Sequence, residues 1–221
     1  MTLVARAPHP PDPWKASLPA IASALAVLAT GGLVIVFQDL GPQSGHMAAH
    51  IGLMNVLAPL LAAGLAYGLK TPPRLAAVWL AAAAQIVLLW IWHAPAVQRI
   101  GLESHAVTAA MHGSLFAAAV FFWSTILRQR PAERWHPAAA LLLTGKLACL
   151  LGALLIFAPR LLVEAPLHHA SLSLADQQLA GLLMVTACPL SYVVAGVAFA
   201  AQALFASGEP EGSGRPFRAA T

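Results

Sequence analysis

Six stretches of this chain are long and apolar enough to cross a lipid bilayer, and no other feature limits its fold as strongly: Leu18–Phe37, His46–Leu69, Leu75–Trp92, His105–Leu127, Pro137–Ala158 and Gln178–Leu204. A helix needs roughly 17–25 mostly apolar residues to span the hydrocarbon core, and each segment supplies them. The connections carry turn chemistry, as in Gly41-Pro42, Thr71-Pro72-Pro73 and Arg130-Pro131, and none is long enough for a water-soluble domain. Only 9% of the residues are charged, against about 25% in a soluble globular domain, so the bilayer is the expected solvent. The first apolar run exceeds the h-region of a signal peptide and has no clean small-x-small site after it, so it reads as a retained span. The expected architecture is an all-α polytopic membrane bundle of six transmembrane helices over residues 18–206. A proline-rich tail (1–17) precedes it, and a Gly- and charge-rich tail (207–221), expected to be disordered, follows.

Lysine and arginine orient such a bundle, because short cytoplasmic loops carry an excess of them. Arg6, Lys15, Lys70, Arg74, Arg128, Arg130, Arg134, Arg215 and Arg218 fall on one side, while only Arg99 and Arg160 fall on the other, beside Asp39, Glu103, Glu164 and Asp176. Nine against two places both termini in the cytoplasm. The formal charge of +4 is thus accounted for by topology. No stretch joins a dense basic run to interleaved aromatics, and nucleic acid is not an expected partner.

With the sides assigned, seven of the nine histidines gather at the outer ends: His46, His50, His93, His105, His112, His168 and His169. His46 and His50 are four residues apart, on one helix face and about 6 Å apart along its axis. His105 and His112, seven apart, also share a face. Imidazole binds copper in both common oxidation states, and thioether sulfur selects Cu(I). Helical rise places Met54, Met111 and Met184 roughly 9–12 Å below the outer boundary, and Cys149 and Cys188 roughly 14–15 Å below it. A histidine layer over a thioether layer over two thiols is therefore permitted. Each residue also has an ordinary reading: an interfacial histidine caps a helix, methionine fills gaps, and a buried thiol acts as a small hydrophobe. The tryptophans Trp90, Trp92 and Trp123 suit interfacial belts or packing. Clustering, rather than any one residue, points to a metal or haem site, and paired histidines on facing helices such as His50 and His112 leave bis-His haem ligation open.

Two further polar residues lie in or beside spans. Lys146 sits near mid-membrane, where an ionisable group is a functional candidate unless its stem snorkels to the surface. Asp176 opens the sixth span, where a carboxylate complements the helix dipole, although capping does not require Gln177 and Gln178 after it.

Four stretches together resemble the integral-membrane CtaG family of cytochrome c oxidase assembly proteins: His46-Met47-Ala48-Ala49-His50 with Pro59 following, Trp90-Ile91-Trp92-His93-Ala94-Pro95, His105 to His112 running into Phe121-Phe122-Trp123, and Asp176-Gln177-Gln178 through Gly181 to Met184. They cover about residues 46–190. The resemblance implies a non-enzymatic factor of the bacterial cytoplasmic (inner) membrane that serves haem–copper oxidase subunits, in copper delivery. It implies ligands at His46, Met47, His50, His93, His105, His112 and Met184, with Asp176 structural or gating. The chain departs from the family in having six expected spans where a seventh is common, and Val185 where an aromatic usually follows the methionine. No HExxH, GxSxG, phosphate-binding glycine loop or membrane carboxylate pair is present, so no catalytic role is expected.

Overall fold

The computed structural model describes residues 40–69, 71–163 and 172–207. The expected span Leu18–Phe37, both tails, and His168 and His169 lie outside the described residues. Everything else is helical or connecting turn. The elements are α1 (Pro42–Ile51), a π-helical segment (Gly52–Leu57), α2 (Ala58–Gly68), α3 (Leu75–Trp92), α4 (Pro95–Glu103), α5 (His105–Leu127), a 3-10 turn (Pro131–Glu133), α6 (Trp135–Phe157), α7 (Leu174–Thr186) and α8 (Cys188–Ser207).

Five continuous rods among the described residues are long and apolar enough to cross a membrane: Pro42–Ala66, Leu75–Trp92, His105–Leu127, Trp135–Phe157 and Leu174–Gln202. They coincide with the second to sixth expected spans. The first of these rods starts at Pro42 rather than at His46, because proline pre-sets the backbone at the first helical position and loses no needed donor there. The last is two helices meeting at Ala187. Pro189 has no N–H to return to the preceding turn, and the join survives as a slight break within one rod.

Long side chains such as Leu80, Phe157, Leu190, Val194 and Leu204 cover the outside, as a lipid solvent requires. Alanines, large side chains such as Phe122, Leu115 and Tyr192, and a few polar groups fill the inside. The closest helix contact is between α6 and α7, where a Cβ on Gly152 would lie 2.9 Å from the Gly181 carbonyl oxygen and one on Gly181 would lie 2.7 Å from that of Gly152. Reciprocal glycines of this kind let two backbones touch in a membrane, where van der Waals packing has to replace the hydrophobic drive between helices. Deeper in the bundle the indole N–H of Trp123 donates to the Met54 carbonyl at 3.2 Å, inside the π-helical segment. The indole stacks on Tyr192 at 5.5 Å between centroids, and the Tyr192 hydroxyl accepts from the Gln85 amide. Trp123 therefore packs the interior rather than joining an interfacial belt.

Lys146 lies on the exposed surface of α6. Arg74, Arg128, Arg130 and Arg134 all gather at one end, where the Arg128 guanidinium donates to the Thr71 carbonyl and that of Arg134 to the Gln202 side chain. The histidines described next stand at the opposite end.

Candidate metal centre

The first turn of α1 would leave its amide N–H groups without intrahelical partners. The partner comes from the far end of the sequence. The carboxylate of Asp176 accepts from the Gln43 amide at 2.8 Å, the Ser44 amide at 3.1 Å and the Ser44 hydroxyl. Gly41 makes room for it, since a Cβ there would fall 2.3 Å from the Asp176 Cγ. Asp176 also stands in the first turn of its own helix, where the Ser173 hydroxyl accepts its amide N–H at 3.1 Å. One carboxylate thus fixes the start of α1 against the start of α7, and α1 carries His46 and His50 one and two turns further in.

The two glutamines that capping left unexplained have separate tasks. Buried Gln177 accepts the Leu162 amide at 2.8 Å and donates to the carbonyls of Leu155 at 3.2 Å and Arg160 at 3.4 Å. Gln178 donates to the Ile156 carbonyl at 3.4 Å. Together they satisfy the C-terminal carbonyls of α6 and tie down the chain that leaves it.

Inward of this frame four imidazoles meet. The ring centroids of His46, His50 and His112 form a near-equilateral triangle with sides of 4.6, 4.7 and 4.7 Å, and His93 joins at 5.5 Å from His50. One ligating nitrogen from each of His46, His50 and His112 lies within 4.8 Å of the others. The rings arrive from α1, the end of α3 and the start of α5. His46 and His50 touch through their Nε2 atoms at 3.1 Å, so one must donate and the other accept.

His93 and His112 are the most informative. Nδ1 of His93 contacts the Leu89 carbonyl at 2.7 Å, and Nδ1 of His112 contacts the Thr108 carbonyl at 2.9 Å. A carbonyl only accepts, so both Nδ1 atoms carry the proton. In the neutral ring the lone pair is then on Nε2, and in both residues Nε2 is buried with no hydrogen-bond partner. A backbone carbonyl that fixes the tautomer and aims the other nitrogen is the usual outer support of a metal-bound histidine. Burial also holds the His93 pKa below its ordinary value, against the opposing effect of the Leu89 bond.

An ion bound at about 2.0–2.1 Å by imidazole nitrogens sets those nitrogens about 3.3–3.5 Å apart. The present spacing, at most 4.8 Å, reaches that by closing no more than about 1.5 Å, within the range of ring rotation. The residues therefore fit a single ion. A cavity of about 90 Å³ between α1, α4 and α5 leads to His46 and is lined also by Gln98 and Thr108.

The other residues singled out from the sequence divide clearly. Met47, Met54, Met111 and Met184 are all buried in the core. His105, expected with His112, is exposed at the start of α5 and stands outside the ring cluster. Cys149 and Cys188 are both free thiols, and Cys149 donates to the Val185 carbonyl at 3.8 Å. Val185 packs on the Gly152 position. Sequence reasoning missed Asn55, which is 7% exposed and makes no hydrogen bond through either amide atom. Its signal was available: a lone carboxamide inside an apolar span is a functional candidate by default.

The model of the family described as cytochrome c oxidase caa3 assembly factor (Caa3_CtaG) matches residues 1–205. No curated protein and no solved structure matches the chain significantly.

Proposed function

The chain belongs to the cytochrome c oxidase caa3 assembly factor family, and from that premise we propose that its histidine cluster binds copper and passes it to an oxidase subunit. The observation that carries this reading is the pair of buried, unpartnered Nε2 atoms of His93 and His112, each with its tautomer fixed by its own helix, beside His46 and His50. An unmet lone pair in a low-dielectric interior is costly, and a bound cation removes the cost. Imidazole accepts either oxidation state of copper, and the methionines below favour Cu(I).

The arginine-poor end of the bundle, where the cluster stands, faces outward under the positive-inside rule. The protein is then a metallochaperone of the bacterial cytoplasmic membrane, acting in respiratory-chain biogenesis without catalysis. Transfer proceeds by exchange of ligands at the cavity that opens beside His46, and lipid-facing helices dock against those of the client.

Haem is the weaker alternative. His50 and His112 stack with centroids 4.7 Å apart and planes 21° from parallel, and that gap admits no macrocycle between them. An optical spectrum of the purified protein distinguishes the two, since haem gives a Soret band and Cu(I) none. A copper transporter needs soft ligands continuing toward the arginine-rich end, and beyond Cys149 and Cys188 the described residues supply none.

The test is the His46→Ala/His50→Ala double variant expressed beside the oxidase. The expected result is an oxidase depleted in copper with the variant at its normal level in the membrane. Normal oxidase copper in that strain refutes delivery by this cluster and leaves a structural scaffold.

A further inference from the structure

Beside the imidazoles lies a second, smaller cavity of about 10 Å³, lined by Met47, His50, Ile51, Met54, Asn55, Leu89, His93, Met184 and Cys188. It shares His50 and His93 with the cluster and adds sulfur to them. The chain has five methionines and two cysteines, and three of those methionines and one of those cysteines surround this one cavity. They come from both sides of it. Met47 and Met54 belong to the first described rod, while Met184 and Cys188 stand four residues apart across the α7–α8 join. Gap-filling explains a single methionine well. It does not explain why four of the seven sulfur-bearing residues line one space that holds an atom-sized guest.

The polar groups point the same way. Asn55 is 7% exposed, His50 4% and His93 5%. The Asn55 amide makes no hydrogen bond of normal geometry through either atom, and Nδ1 of His50 and Nε2 of His93 likewise have no partner. The thiol of Cys188 lies beside the Asn55 amide. Asn55 also belongs to the π-helical segment Gly52–Leu57, and such an extra residue in a helix often marks a functional site. Here it turns a carboxamide into the cavity, and the Trp123 indole takes up the Met54 carbonyl at 3.2 Å.

We infer that this cavity is a second metal site, separate from the imidazole cluster, which holds one Cu(I) ion on the sulfurs of Met47, Met54, Met184 and Cys188. Thioether and thiolate donors select monovalent copper over the divalent ions of its row. A cation this deep in the membrane needs a compensating charge. Cys188 provides it: the Sγ–H bond breaks, an Sγ–Cu(I) bond forms, and copper stays monovalent throughout. The displaced proton is released to water at the outer face. Asn55 accepts or donates to whichever form of the thiol is present. The upper cluster then receives copper, and the lower site stores it out of reach of water.

The site rests on its four sulfur-bearing residues and not on the two imidazoles it shares with the upper cluster, so it survives even if that cluster binds nothing, and the experiment separates the two. Full-length protein in detergent is titrated anaerobically with Cu(I) against a competing Cu(I) chelator. The wild type is expected to take two ions per chain, the Met54→Leu/Met184→Leu variant one, and the His46→Ala/His112→Ala variant one. Equal copper uptake by the methionine variant and the wild type overturns the second site. Full uptake by the histidine variant, with loss in the methionine variant, instead overturns the upper one. A measurement on the unmutated fold guards against misfolding: selenomethionine-labelled protein loaded with copper is examined at the selenium absorption edge. Selenium–copper scattering is expected, and its absence refutes the sulfur-lined site.

Discussion

Replacing Asp176 with alanine removes the only partner, among the described residues, of the Gln43 and Ser44 amides, which are 133 and 132 residues away in sequence. Loss of an ordinary N-cap costs about 0.5–2 kcal/mol. Bonds to a carboxylate are individually stronger, about 1.5–3 kcal/mol, and Ser44 is fully buried, so water replaces them poorly there. Gln43 is only half-buried and is discounted accordingly. A total of about 2–3 kcal/mol follows for Asp176→Ala. The strain falls on the first turn of α1, and His46 stands at the end of that turn. When the turn frays, His46 leaves the ring triangle and a bound ion keeps only the remaining ligands. A loss of about 2–3 kcal/mol felt wholly in binding corresponds to about 30- to 150-fold weaker Cu(I) affinity, the upper figure being the ceiling. Asp176→Asn retains one accepting oxygen and belongs between wild type and alanine. Chelator competition measures the affinities, and hydrogen exchange at residues 43–46 reports the fraying without any metal. A folded Asp176→Ala protein with unchanged exchange at those amides refutes the role of Asp176 as the cap of α1.

Other outcomes follow from the same geometry. His105→Ala, at an exposed position outside the cluster, should leave copper affinity within about twofold, whereas His112→Ala should weaken it by tenfold or more, of the order of one lost ligand bond of about 1.4 kcal/mol; competition titration compares them. Gln177→Leu, close to isosteric, strands the Leu162 amide and two carbonyls and should cost about 2–4 kcal/mol, seen as a lowered thermal midpoint in detergent. Gly152→Ala or Gly181→Ala drives a methyl into a facing carbonyl and should cost about 1–3 kcal/mol in the same assay; an unchanged midpoint in either would mean that the two helices separate freely.

Much of this was legible in the sequence because hydropathy is additive along a span. Leu75–Trp92 and His105–Leu127 were located to the residue. His46 and His50 could be paired because a four-residue step leaves both face and depth nearly unchanged. The seven-residue step to His105 preserves the face but moves about 10.5 Å along the axis, which carries it past the cluster to an exposed end. Depth excluded it, and face alone could not. The tasks of Gln177 and Gln178 were hidden because their partners are backbone atoms of α6 and its exit, which no pattern of side chains encodes. The π-helical segment around Asn55 was invisible for a related reason. Its extra residue shifts the register of one helix, and an apolar run gives the same hydropathy in either register.

If the cluster is the copper centre proposed above, the tethers on His93 and His112 also bear on how fast it is emptied. Each ring is anchored to the helix that carries it, not to another ring, so detaching one donor leaves the aim of the others intact. An ion held this way can be surrendered bond by bond, each vacated position open to an incoming donor from the recipient, and the helices need not separate for the last bond to break. Unloading then has many low barriers in place of one high one, and the outer centre can be tight at rest yet quick in exchange.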